Sequence, residues 1–435
     1  MEKDKEKKKR RKKEAEAGKH GVNDKKSVFP RKPAYMIAIM LMGVAAIAFF
    51  AMMIIADILP PDLTIIVSLI VTALLVLTCL MFASKRRWKR ITGIVLALAF
   101  VLVISTVTSF MASTYSTLEE ISATRTNATG PVAKSVNVTE EAFNIYITGI
   151  DQWECEKGLD LERSDVNMIV TIDPRTKKIL LTSIPRDTYV RLHTAQQMDK
   201  LTHTGVYGIE ETLSTVEDWL GIDINYYVKM NFSATRDIID AMGGIRVYSP
   251  ATFDSSLKEE YHYDQGWNLM GGNRALYFAR ERKAFEGQDS VRVENQQRVV
   301  EGMIDRMTSS TTLLTHYGDI MNAAGDNLTT NLSADDMTEL VKMQITNPVK
   351  WDVETQKIEG EYDMDYVASL TQSQKFSVYR ADPASARKCV EAIQSVLNPK
   401  AGEIEAAEKN SSRSFVVNYI NHLVDSNKKI KDKED

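Results

Sequence analysis

Cysteine is scarce: the 435 residues hold three, and Cys79 lies inside a long apolar run, so only Cys155 and Cys389 could meet in an oxidising compartment. A disulfide between them is optional, and two unpaired thiols are the expectation. No CxxC pair and no Cys/His cluster has the spacing of a zinc or thiol-redox centre. Neither a GxxxxGKS/T loop nor a dinucleotide-binding glycine fingerprint occurs, which argues against a nucleotide ligand. Internal repeats are lacking as well. The formal net charge of -4 averages a basic N-terminal stretch against an acidic remainder and so points to no partner.

What the chain does have is three long apolar runs, Ala34–Ile55, Leu63–Ala83 and Ile91–Phe110. Each is close to the ~20 residues that cross a hydrocarbon core, and together they predict three transmembrane helices rather than a cleaved leader. Lys and Arg crowd the segment before the first run (Lys7 to Lys13) and the connection Lys85, Arg86, Arg87, Lys89 and Arg90, whereas the turn Asp57–Asp62 has none. The positive-inside rule then places the N-terminus in the cytoplasm and everything after about Phe110 outside it. The expected organisation is a basic cytoplasmic tail (1–33), three spans (34–110), a linker (111–140) and a globular domain (141–310). A C-terminal completion (311–400) and a last helix with a charged tail (401–435) follow.

The globular part alternates strand and helix signals. Phe143–Gly149, Val166–Asp173 and Lys178–Ile184 are strand-like, the last two joined by a Pro174-Arg175-Thr176 turn. Helices are predicted at Gly208–Leu220, Ala234–Met242, Asn273–Arg280 and Val291–Met307, with strands at Ile224–Asn231 and Ile245–Tyr248. Ser333 can cap Ala334–Met343, Lys350–Gly360 reads as extended, and Asp382-Pro383 opens a helix to Leu397. A hairpin beside crossover connections predicts an α/β domain with a mixed parallel and antiparallel sheet flanked by helices.

Three clusters set charge beside turns at predicted strand ends, where side chains from separate segments can converge. They are Gly149-Ile150-Asp151 with Arg163-Ser164-Asp165; Ser183-Ile184-Pro185-Arg186-Asp187; and Arg280-Glu281-Arg282 with Asp289, Arg292 and Gln296. Arg280 and Arg282, two apart in an extended segment, share a face, as do Arg292 and Gln296, four apart on a helix. Guanidinium groups donate paired hydrogen bonds and stay charged, which suits phosphate. Mg²⁺ needs only one or two carboxylates when phosphate oxygens complete its shell, so Asp151 and Asp165 suffice in number. Together these residues describe a pyrophosphate site.

The five motifs Gly149-Ile150-Asp151, Arg163-Ser164-Asp165, Ser183–Asp187, Asp240–Gly244 and Arg280-Glu281-Arg282 stand in the order seen in the LytR-CpsA-Psr family, which this chain resembles from Phe143 to Met307. Three spans ahead of the domain resemble the capsule-type branch. The resemblance implies an extracytoplasmic, Mg²⁺-dependent phosphotransferase that buries a polyprenyl chain and passes its pyrophosphate-linked glycopolymer, capsular or teichoic-acid-like, to peptidoglycan. It implies metal-binding roles for Asp151 and Asp165 and pyrophosphate-binding roles for Arg163, Arg186, Arg280, Arg282 and Arg292. Gln296 and Lys200 match further substrate-binding positions, Asp289 an acidic one, and no nucleic-acid partner is expected. The family's Gly-Asp-x-Gly-Arg and Arg-Gln-Gln runs are altered here, with Gln288 before Asp289, Val291 before Arg292 and Asn295 before Gln296. That changes the rim of the site, and with it polymer or acceptor preference. A noncatalytic membrane sensor of a lipid-linked ligand, and a hydrolase of the same lipid, need the same arginines and stay open as alternatives.

Overall fold

The computed structural model describes residues 33–57, 59–127, 133–150, 163–258, 260–285, 289–325, 328–370 and 373–404. Asp151, Cys155, most of the basic tail and the charged C-terminal end lie outside them. Two compact units emerge, one of Met1–Ala51 with Ile65–Thr108 and one of Met52–Thr64 with Ser109–Asp435.

The first unit is built from apolar helices. α1 (Pro33–Ala56), α2 (Pro61–Ala83) and α3 (Arg87–Asn127) contain the three segments long and apolar enough to cross a membrane, Tyr35–Ala56, Pro61–Ala83 and Arg87–Ser113. α3 continues through much of the stretch expected as a linker from residue 111. The reason is local: after Gly93 no Gly or Pro interrupts the chain until Gly130-Pro131. Residues 133–140 are tied to the globular unit by buried Val138 and by Lys134, which pairs with Glu217 and Asp223.

The globular unit is centred on a six-stranded sheet in the order β11-β6-β1-β2-β3-β12. β1 (Phe143–Ile150), β2 (Ser164–Asp173) and β3 (Lys178–Ser183) form an antiparallel meander, in which the β2–β3 hairpin is the one that the Pro174-Arg175-Thr176 turn predicts. β4 (Tyr189–Arg191) and β5 (Met198–Lys200) make a small ribbon that leads into a helical turn, α4 (Leu201–Thr204), and then α5 (Ile209–Leu220). β6 (Tyr226–Asn231) returns parallel to β1 and passes directly into α6 (Phe232–Ala241), whose first turn is capped by the Asn231 side chain. Gly243 and Gly244, at φ 75° and 89°, end that helix in backbone that a side chain would strain.

Next come β7 (Ile245–Ser249), β8 (Phe253–Asp254), β9 (His262–Tyr263) and β10 (Gly266–Met270), then α7 (Gly272–Arg280) and α8 (Asp289–Met307). α9 (Ser310–Ala324), β11 (Leu328–Thr330), α10 (Ala334–Thr346), β12 (Asp352–Lys357), β13 (Gly360–Asp365), β14 (Phe376–Ala381) and α11 (Pro383–Leu397) complete the described chain. The mixed sheet flanked by helices is therefore the fold that the alternating signals predict. Its two edge strands, β11 antiparallel to β6 and β12 parallel to β3, both come from beyond residue 310.

The sheet has two unlike faces. α5 and α11 close on one through a continuous cluster that includes Tyr146, Ile169, Leu213, Val216 and Ile393. The other face, covered by α6 to α10, encloses a cavity of about 420 Å³. Ile145, Ile147, Val170 and Val228 form its floor, and Ile238, Val299, Met303, Ile320 and Leu340 are among the residues of its walls.

Candidate functional site

Strand register brings the separated motifs to one edge of the sheet. Ile150 at the end of β1 pairs with Ser164 on one side and Asn231 on the other, while Ser183 pairs with Met168 and with Lys357. The carboxyl ends of β1, β6, β3 and β12 thus share an edge with the start of β2. Carboxyl ends of strands in an α/β sheet are where ligand-binding loops gather.

On the β2–β3 side an alternating chain of charges forms. Arg163 is exposed just before β2. Asp165 accepts a hydrogen bond from Nη1 of Arg186, whose Nε stands 3.6 Å from Asp187 Oδ2. Asp187 Oδ1 in turn lies 3.0 Å from Lys200 Nζ. These four side chains are only 15–30% exposed, so water and salt screen them weakly.

Two buried networks hold this chain in place. Beneath it the Asn167 side chain accepts from Tyr146 Oη (2.6 Å) and from Ser164 Oγ, which also meets Thr148 Oγ1 at 2.7 Å. The Asn167 carbonyl accepts from the Ile184 amide (2.9 Å), so one residue ties the Arg163–Asp165 segment to the loop bearing Arg186. Behind Lys200, Asp199 accepts from the Lys200 amide (2.7 Å), meets His203 Nδ1 at 2.7 Å and accepts from the Ser369 amide (2.8 Å). Burial opposes ionisation of Asp199, but these bonds, led by that from His203, hold its carboxyl below the usual range. His203 Nδ1 also lies 2.8 Å from Ser369 Oγ.

On the β6 side, Arg280 ends α7 with its guanidinium 5.2 Å from the Phe232 ring, beside Asn231. Glu281, fully buried, turns away from Arg280 and exposed Arg282. Its carboxylate accepts from the Ser256 amide (2.7 Å), the Ser255 and Ser256 hydroxyls (3.1 and 2.6 Å) and the amides of Arg282, Lys283 and Ala284 (3.0 to 3.2 Å). Burial raises its pKa, yet those donors outweigh burial and keep it below the ordinary value, so the carboxylate between the arginines is spent internally.

α8 begins at Asp289 and is drawn to the same edge by Lys357, which donates to Ser290 Oγ at 2.6 Å. Arg292 is nearly buried, and Gln296, one turn on, lines the cavity with Arg280. Among the described residues that line the cavity, Arg280 alone is charged.

Asp165, Arg186 and Lys200 thus join one cluster, and Arg280 and Gln296 meet at the cavity. The two groups flank β1, with about 10 Å between β2 and β6 at two strand spacings. Among the described residues no set of three or more His, Cys, Asp or Glu side chains could hold a metal. Asp165 supplies one carboxylate, a donor set that fits Mg²⁺ only as an open site completed by substrate oxygens. No local sequence signal marks Asn167 or Lys357 as a polar hub, and Glu281 stands in the sequence only as the middle residue of the Arg280-Glu281-Arg282 motif, with nothing to show that it turns inward. Cys389 is a buried free thiol.

A model of the LytR_cpsA_psr family matches residues 107–392, which contain every residue of both clusters. The chain belongs to that family. Among its relatives is the polyisoprenyl-teichoic acid--peptidoglycan teichoic acid transferase TagU of Bacillus licheniformis, 32% identical over 201 residues, or 46% of this chain and 63% of that protein. A protein of the same name from Enterococcus faecalis is 31% identical over 268 residues, 60% of this chain and 84% of the relative. The chain thus spans less than two thirds of the B. licheniformis relative. Among solved structures, the crystal structure of B. subtilis TagV superposes with a TM-score of 0.50 at 28% identity, covering 60% of this chain and 99% of that one.

Proposed function

We propose that this family member is a membrane-anchored transferase that moves a polyprenyl-pyrophosphate-linked glycopolymer onto peptidoglycan on the outer side of the membrane. The observation that carries this reading is the apolar cavity of about 420 Å³ whose one charged lining residue among those described, Arg280, stands at the same sheet edge as Arg186. Only an amphiphile with a long apolar tail and an anionic head satisfies both halves. Each tail methylene withdrawn from water contributes about 0.8 kcal/mol, so the cavity supplies affinity and leaves the arginines to act on the head. The relatives are named as teichoic acid transferases, which supports the same donor and acceptor class; in this reading the cargo is a teichoic-acid-like polymer or a capsular polysaccharide.

In this reading Arg163, Arg186, Arg280 and Arg282 neutralise the pyrophosphate, and Arg292, Gln296, Lys200 and Asp289 complete substrate binding. Asp165, with Asp151, would hold Mg²⁺, whose charge adds to that of the arginines. A hydroxyl of the wall glycan attacks the polymer-proximal phosphorus; its O–P bond forms as the bond to the leaving polyprenyl phosphate breaks. Charge shifts onto the leaving oxygens, and fixed guanidinium groups in a half-buried site stabilise it without reorganising. Asp187 contacts both Arg186 and Lys200 and so holds the two cations side by side.

The test is phosphoryl transfer from a polyprenyl-pyrophosphate-linked sugar by the full chain in detergent, with and without Mg²⁺. Arg280→Ala should lower turnover about 10²–10³-fold, the cost typical of losing one donor to transition-state charge. Tight lipid binding with no bond cleavage under any metal would overturn the transferase reading in favour of a sensor. Cleavage with water as the sole acceptor would make the protein a hydrolase.

A further inference from the structure

The ribbon of β7 and β10 has one face in the core and the other in solvent. Ile245, Val247 and Met270 are fully buried and pack with Ile238, Val299 and Met303, which also line the apolar cavity. Strand alternation puts Arg246 and Tyr248 of β7 on the opposite face, in direct register with Leu269 and Trp267 of β10. There Trp267 is 62% exposed, Leu269 67% and Tyr248 45%. Tyr248 meets the Trp267 ring edge-on at 5.6 Å, and the Arg246 guanidinium lies 5.2 Å from the same ring. Two aromatic rings, an aliphatic side chain and one cation thus form a single ordered patch in solvent.

Composition and place together name the occupant. Trp and Tyr settle at a membrane–water interface, where their amphipathic rings sit at headgroup level, and a guanidinium beside them suits lipid phosphate. A bilayer is within reach, because the same chain carries three helices long and apolar enough to cross one, and tethering raises the effective concentration of a weak contact. Local contacts also lead from the patch to a membrane surface. Leu269 stands over Gly244, the Met242 carbonyl of the same turn accepts from Arg306 Nε at the end of α8 (2.8 Å), and Met307 beside it lines the cavity. The Thr308 carbonyl accepts from Gln344 of α10 (2.6 Å), and Lys342, half a turn back on α10, donates to Asp57. Asp57 belongs to the same compact unit as these helices and to the turn that joins two of the apolar helices, which puts it at a membrane surface. Asp254 and Asp264, the carboxylates next to the ribbon in sequence, sit beyond its Gly266 end and face His262.

We infer that the outward face of the β7–β10 ribbon is a membrane-contact surface, which seats Tyr248, Trp267 and Leu269 among lipid headgroups with Arg246 on a lipid phosphate. Because the inward face of the ribbon packs on the cavity walls, the contact holds that cavity at the plane where a lipid tail enters it. The inference rests on membrane anchoring and not on the chemistry at Arg280, so its failure would leave the transferase reading untouched.

The test is tryptophan fluorescence of the full chain in nanodiscs of phosphatidylcholine and phosphatidylglycerol whose acyl chains carry bromine, a contact quencher, either near the headgroup or near the chain end. Subtracting the emission of Trp267→Phe from that of the wild type isolates Trp267 and cancels the other tryptophans, Trp88 of the membrane helices included. Seated about 5–10 Å into the headgroup and acyl boundary, Trp267 should lose about half its emission to the shallow bromines and much less to the deep ones. Leu269→Glu, measured against the same protein with Trp267→Phe, puts a carboxylate into the patch and should restore most of that emission. Both positions are exposed, so melting temperatures should stay at the wild-type value, and the wild-type subtraction stands without the Leu269 variant. A Trp267 signal that neither bromine position quenches overturns the inference, and a soluble wall glycan fragment that shifts this unquenched signal would make the patch a saccharide platform instead. Quenching that survives Leu269→Glu also overturns it, since proximity to the anchor alone would then account for the loss.

Discussion

Strand β1 feeds two interiors that differ in kind. Tyr146 is fully buried among Ile169, Val216 and Ile393 on the side closed by α5 and α11, while its neighbours Ile145 and Ile147 look into the cavity under α6 to α10. Both sides are apolar, as a sheet covered on both faces requires. Side-chain chemistry therefore does not distinguish the face that stabilises the fold from the face that receives a ligand. The spacing of the covering helices does. On one side they meet the sheet through one continuous buried cluster; on the other they leave a cavity, with Arg280 and Gln296 among its lining.

Breaking this contrast is most direct from the cavity side. Val300→Trp would fill space that a prenyl tail uses, and displacing three or four methylenes costs about 3 kcal/mol, or roughly 10²-fold in lipid affinity. Stability should change little, because the added ring meets a void. Fluorescence or calorimetric titration with the lipid checks this, and unaltered affinity would place the tail elsewhere.

The packed face should respond in the reverse sense. Ile393→Ala, at a fully buried position, is expected to cost about 2–5 kcal/mol of stability and to leave lipid affinity unchanged. Met303→Ala on the cavity wall should cost less than Ile393→Ala, since part of its surface already faces empty space, and should weaken lipid binding. Thermal unfolding of the two variants with and without lipid reads both effects, and equal costs would erase the distinction between the faces.

The smallest effect lies at the far end of the same strands. Burial pushes the Lys177 ammonium down to about 8 from 10.5 against the pull of Asp173, and the group stacks 4.8 Å from Trp351. The unfolded chain therefore binds more protons than the folded one between pH 8 and 10.5, and stability should rise with pH through that window. Lys177→Met should flatten the slope without touching activity; a changed turnover would mean that this end of the sheet communicates with the site.

Much of this was legible in the sequence. The runs Phe143–Gly149, Val166–Asp173 and Lys178–Ile184 became β1, β2 and β3 within a residue or two, because short runs rich in β-branched and aliphatic residues bounded by turn residues have few other solutions. The motif residues were legible as types: Arg186 and Arg280 as anion grips, Asp165 as a carboxylate beside them. Which of them touch was not. The pairing of Lys200 with Asp187 and the inward turn of Glu281 depend on loops whose course no local pattern encodes.

By itself the sequence determined three apolar helices, a layered α/β domain and the inventory of charged groups, since hydropathy, periodicity and side-chain chemistry are properties of short segments. The tertiary structure alone decided that β6 lies beside β1, so that Asn231 and Arg280 reach the edge occupied by Asp165 and Arg186. It also decided that one face of the sheet encloses a cavity, and that Arg280 and Gln296 come to line it. Those outcomes depend on strand register and helix spacing, which are set by contacts between residues far apart in the chain.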